Sequence, residues 1–174
     1  AETYVDNIVA GLSVADPGHA ADYRANGRSY KTEIAALDRE IRGRIAAVPA
    51  GRRLMLTAHG GFGYFSRAYG VVFATLAGIT VNDKGSAADA ARISNQMETC
   101  AISALFLEST ADPGPVDRIA AETGMTISGT LYSEALSPPG TPADTFLGLA
   151  RHNADIIVAA LASPPSECCH DSAH

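Results

Sequence analysis

Three ionisable residues carry most of the chemistry this sequence offers: His59, Glu108 and Glu134. His59 follows the apolar run Leu54-Met55-Leu56-Thr57. Glu108 closes a second run, Ala104-Leu105-Phe106-Leu107, and Glu134 comes three residues after a third, Thr126 to Leu131. If these runs are parallel strands, all three residues sit at carboxyl ends, the edge where open α/β sheets bind ligands. One imidazole with two carboxylates suits a divalent ion such as zinc or manganese. The same set suits acid–base catalysis. A histidine after a strand is also an ordinary loop residue, so the functional reading rests on the joint placement.

Other candidate motifs carry less. Gly60, Gly61 and Gly63 fit neither the phosphate-loop nor the dinucleotide pattern, and no Lys follows them; they read as glycines that let a loop hug a helix start. Ser66 and Ser133 lack nucleophile-elbow surroundings, which argues against a serine hydrolase. Three cysteines are too few for a disulfide framework. Cys100 is either a buried thiol or, in an exported protein, a partner for Cys168 or Cys169. Cys168, Cys169, His170 and His174 could also catch metal adventitiously.

The elements that position these residues are set by periodicity. Residues 2–14 place Val5, Ile8, Val9 and Leu12 at helical spacing. Asp16-Pro17-Gly18 breaks the chain, and Asp16 or His19 could cap the next helix. Tyr30, Ile34, Leu37, Ile41, Ile45 and Val48 mark a long amphipathic helix that Pro49-Ala50-Gly51 ends. Strands are expected at 54–57, 71–76, 104–107 and 126–131. Helices are expected over 62–69, from Ser86-Ala-Ala-Asp89 through Ile93 and Met97, from Pro115 to Gly124, and from a cap at Thr141-Pro142-Ala143-Asp144 through Phe146 and Leu161. Strands alternating with helices predict an α/β fold: a four-stranded, mostly parallel sheet flanked by helices and preceded by a long helix. The tail 164–174 reads as disordered.

Composition excludes several classes. The chain has 174 residues, 47% hydrophobic and 18% charged, and a mean hydropathy of +0.05, which describes one globular chain with a real core. A net charge of −6 and no basic cluster argue against a nucleic-acid partner. No apolar run reaches the ~18 residues of a membrane span, and no charged start followed by an apolar stretch reads as a signal peptide within these residues. A start at Ala1 without Met reads as a processed or excised chain.

The residues around His59 carry a specific resemblance. Thr57-Ala58-His59-Gly60-Gly61-Phe62-Gly63-Tyr64-Phe65, continuing to Tyr69-Gly70-Val71, resembles the His-x-x-Phe-Gly-Tyr-Phe signature of bacterial zinc/manganese ABC-transporter solute-binding proteins. Asp16-Pro17 through Tyr23, Asn26 and Tyr30, then Leu105 to Glu108, Leu131 to Leu136, and Phe146 to Leu161 with Asn153 agree in order, so the resemblance covers nearly all of residues 1–162.

The resemblance implies a C-terminal lobe of a two-lobe protein: a linker helix over 1–15, an α/β metal-binding lobe over 16–163 and the tail. It implies a metal held between lobes by two histidines of the N-terminal lobe, by His59 and by a residue at position 134. Two departures stand out. Glu134 replaces the usual Asp and is one methylene longer. Nothing here matches the N-terminal lobe or its two histidines, so this chain offers half a site. Glu108 is expected to orient His59 rather than bind metal, with capping of the next helix as the other reading.

An imidazole at the third position favours zinc, with manganese as the alternative. The expected function is extracytoplasmic capture of the ion, periplasmic or cell-surface anchored, with the N-terminal lobe and an ABC permease in the cytoplasmic membrane as partners. The rival is a metal-dependent or acid–base enzyme using His59, Glu108 and Glu134; a lone lobe with a structural or adhesive role is a third reading.

Overall fold

The architecture comes from a computed structural model that describes residues 1–75 and 102–162. The expected helix at 86–97, Cys100, and the tail with Cys168, Cys169, His170 and His174 lie outside the described residues. The chain divides into two compact units, 1–43 and 44–174.

The first unit is helical. Helix α1 spans Glu2–Ala15, a single 3₁₀ turn covers Pro17–His19, and α2 runs over Ala20–Ala46, its last residues belonging to the second unit. Gly27 sets the approach of α1 to α2: a Cβ built there would lie 2.5 Å from Val9 Cγ2. The Lys31 ammonium holds Asp6 Oδ1 at 2.7 Å across the same pair. The expected apolar face of α1 therefore splits. Val5 and Val9 turn towards Gly27, while Ile8 and Leu12 remain exposed. Asp16 caps no helix with its side chain. Its Oδ2 instead accepts from Tyr23 Oη at 2.8 Å and pairs with His19 Nδ1 at 2.8 Å. Both contacts hold the Asp16 carboxyl below its ordinary range, Tyr23 contributing most, and the Asp16 contact raises the Tyr23 phenol.

The second unit is a parallel sheet in the order β2-β1-β3-β4, built from β1 (Leu54–Thr57), β2 (Val72–Thr75), β3 (Ala104–Glu108) and β4 (Ile127–Leu131). Helices α3 (Gly63–Tyr69), α4 (Gly114–Thr123) and α5 (Phe146–Ala162) accompany it. Central strands of a parallel sheet are covered on both faces and so read as continuous apolar runs. Met55, Leu56, Ala104, Leu105 and Phe106 are buried accordingly. Leu56, Ile102, Leu105, Val116 and Ile119 form one cluster beneath α4.

Two features aim the chain near the sheet's carboxyl edge. The β3–β4 register skips a residue, so that Phe106 pairs with Gly129. Gly129 takes φ +149, and a Cβ there would stand 3.4 Å from Ile156 of α5. An inserted residue bends a strand and re-aims the residues beyond it. The second feature corrects an expectation. α5 begins at Phe146, and Thr145 Oγ1 accepts the Gly148 N–H at 3.1 Å, so Thr141-Pro142-Ala143-Asp144 is no helix cap. Those residues close a turn instead: Thr141 Oγ1 donates to Pro138 O at 2.5 Å, and Asp144 Oδ2 accepts from Gly140 N–H at 2.8 Å.

Candidate metal centre

The parallel topology puts the ends of β1, β3 and β4 on one edge. β1 and β4 are not neighbours. β3 lies between them, so their ends stand about 9.5 Å apart at two strand spacings. Glu108, the last residue of β3, fills that gap.

Glu108 is buried and fully engaged. Its Oε1 accepts the backbone N–H of His59 at 2.9 Å. Its Oε2 lies 2.9 Å from His59 Nδ1 and accepts from Ser133 Oγ at 3.2 Å. One carboxylate therefore ties the loop after β1 to the loop after β4. Thr57, buried at the end of β1, donates Oγ1–H to His59 O at 2.9 Å, so the backbone of residue 59 is held on both sides.

This decides what each residue can do. A carboxylate oxygen facing Nδ1 fixes the ring hydrogen there and leaves the Nε2 lone pair for a ligand, the usual role of an outer partner to a metal-binding histidine. The His59 side chain is 37% exposed and the Glu108 side chain 0%. The imidazole is reachable; the carboxylate behind it is not. A substrate cannot reach Glu108, which argues against the acid–base reading with His59 and Glu134. Nor does Glu108 cap the next helix: α4 starts at Gly114 with no side-chain cap.

Glu134 is exposed and follows Ser133 directly. The two loops touch at Gly61, where an added Cβ would lie 2.8 Å from Ser133 Cβ and 3.2 Å from Glu108 Oε2. Among the described residues, no group of three or more His, Cys, Asp or Glu is arranged to hold a metal ion. Phe62 is buried and stacks on Phe73 with ring centroids 4.8 Å apart, anchoring the start of α3. Tyr64 is 84% exposed, with the Arg67 guanidinium 4.7 Å over its ring.

Reading from sequence gave Gly61 a place in the loop before a helix and excluded Ser133 as a nucleophile, but it assigned neither the Gly61–Ser133 contact, nor the Ser133 bond to Glu108, nor the hold of Thr57 on residue 59. The signal for Thr57 is a polar residue ending a buried strand. For the contact between Ser133 and Gly61 there was none, because it joins loops distant in sequence.

A protein-family profile described as zinc-uptake complex component A periplasmic matches residues 1–160. The chain is similar to the manganese-binding lipoprotein MntA of Bacillus subtilis (strain 168), 35% identical over 162 residues, covering 90% of this chain and 53% of the relative. It is also similar to the iron ABC transporter substrate-binding lipoprotein MtsA of Streptococcus pyogenes serotype M1, 28% identical over 159 residues, 91% of this chain and 51% of that protein. Among solved structures, the periplasmic zinc-binding protein TroA of Treponema pallidum superposes with a TM-score of 0.77 at 33% identity, covering 91% of this chain and 59% of that one. The chain spans about half the length of the curated relatives it matches.

Proposed function

The chain belongs to the periplasmic zinc-uptake complex component A family, and from that premise we propose that it supplies half of a site that captures a divalent transition-metal ion outside the cytoplasmic membrane. His59 Nε2 and the Glu134 carboxylate bind the ion. The remaining ligands come from an N-terminal lobe, and the loaded protein delivers its cargo to an ABC permease. The ion is cargo, so the chemistry is coordination and release.

The observation that carries this reading is the Glu108 bridge. A buried carboxylate that sets the His59 tautomer, and at the same time tethers the loop bearing Glu134, has the form of a support for a metal ligand. Zinc is the favoured ion, since a neutral imidazole is a softer donor than a carboxylate. The similarity to proteins named for manganese, iron and zinc supports a divalent transition metal without choosing among them.

The test is a zinc and manganese titration of a chain ending at Ala162, free of the tail cysteines and histidines. Two ligands hold zinc weakly, so weak one-to-one binding that His59→Ala abolishes is the expected result. Tight stoichiometric zinc binding that survives His59→Ala would place the site elsewhere.

A further inference from the structure

Asn153 is a buried polar residue, 3% exposed, on the same face of α5 as Ile157 and Leu161. Its whole amide is used on one residue of another segment. Oδ1 accepts the Tyr132 N–H at 2.9 Å, and Nδ2 donates to Tyr132 O at 2.7 Å. A donor and an acceptor answering both backbone groups of one residue is how an antiparallel strand would hold it. Asn153 thus extends the sheet's hydrogen bonding one residue beyond Leu131. The preceding helix residue grips the same stretch: His152 Nε2 lies 3.2 Å from Thr130 O, and its ring meets the Tyr132 ring edge-on at 5.3 Å.

The residues just after Tyr132 matter for the ion. Ser133 reaches Glu108, and Glu134 comes next. Among the described backbone hydrogen bonds, the next hold downstream is Ser137 N–H on Ala143 O at 3.0 Å. The path to Glu134 is therefore held at two adjacent residues: Asn153 holds the main chain of Tyr132, and Glu108 holds the side chain of Ser133. A site geometry off by about 1 Å is enough to impair function.

We propose that Asn153 is a positioning residue for Glu134: by clamping both backbone groups of Tyr132, it fixes where the Glu134 carboxylate leaves the sheet and so sets metal affinity. This inference rests on the reading of His59 and Glu134 as ligands of one ion. An apolar residue at 153 would strand the Tyr132 N–H and C=O. Asp would keep the acceptor for Tyr132 N–H but turn an oxygen towards Tyr132 O.

The experiment is zinc titration of the 174-residue chain by NMR, read at the His59 ring so that zinc on the tail cysteines and histidines is not counted, using Asn153→Ala, Asn153→Asp, Glu134→Gln and the two double variants with Glu134→Gln. Thermal melts establish that each is folded. Asn153→Ala is expected to weaken zinc binding about tenfold or more, within the ~10–100-fold typical for loss of an outer partner. Adding it to Glu134→Gln should cost nothing further, because it acts through that side chain; a general destabilisation would add in full. If Asn153→Ala fails to fold, Asn153→Asp carries the same cycle. Folded variants that bind zinc within about twofold of the parent, or losses that add in full to Glu134→Gln, overturn the proposal. A parent chain whose zinc affinity ignores Glu134→Gln overturns the underlying ligand assignment instead, and the positioning role falls with it.

Discussion

Exchanging Glu108 for Gln tests the support of His59 without changing the size of the side chain. The backbone N–H of His59 can only donate, so the amide oxygen stays on it and the new NH₂ takes the place of Oε2. That NH₂ then faces His59 Nδ1 at 2.9 Å and Ser133 Oγ at 3.2 Å. The hydroxyl adapts by accepting. The imidazole adapts by moving its hydrogen to Nε2, which removes the lone pair a metal needs. Returning to the Nδ1–H form sets two donors against each other. It also forfeits a bond to a charged group, worth about 1.5–3 kcal/mol. Zinc affinity through His59 should therefore fall about 10–150-fold, at 1.4 kcal/mol per decade. Long-range ¹H–¹⁵N correlation of the ring reads the tautomer directly, and a zinc titration reads the affinity. A ring still protonated at Nδ1 in Glu108→Gln, with affinity within about threefold of the parent, would refute the assignment of Glu108 as the group that orients His59.

Contacts elsewhere give two further expected outcomes. Gly61→Ala forces a Cβ to 2.8 Å from Ser133 Cβ, an atom fixed to its backbone; the two loops must part, with an expected loss of about 1–3 kcal/mol in urea unfolding and weaker zinc binding. Asp16, held below its ordinary value of 3.8 by Tyr23 and His19, contributes stability that is present above that value and lost as pH falls through the lowered one. In an NMR titration its midpoint should lie below 3.8 and rise in Tyr23→Phe, and an unmoved midpoint would contradict the contact.

The fold was largely legible because its strands are short apolar runs between strong punctuation. Leu54–Thr57 is bounded by Arg52-Arg53 and by His59-Gly60-Gly61, and the observed β1 has those limits. Helix ends coincide with Gly70 and Gly124, both left-handed at φ +69 and +71. Side-chain choices between competing local partners were harder. Asp144 has the spacing of a capping-box acid, yet its carboxylate is satisfied by Gly140, and the cap passes to Thr145. Asp16 likewise serves Tyr23 and His19 rather than a helix terminus. For Glu108, two local roles fitted the sequence equally well. Only its lateral position between β1 and β4 selects the contact with His59, and strand order is a tertiary fact. The same holds for the Gly61–Ser133 contact, for the register shift before Gly129 and for the Asn153 clamp. Asn153 did leave a trace, as a polar residue on a face otherwise occupied by Ile157 and Leu161.

The central claim is that His59 and Glu134 bind one ion. Crystals of the chain grown with zinc, measured on both sides of the zinc absorption edge, test it without reference to affinity. An anomalous peak is expected about 2.0–2.2 Å from both His59 Nε2 and a Glu134 carboxylate oxygen. An ordered zinc bound by other residues, with His59 and Glu134 directed away from each other, would contradict it.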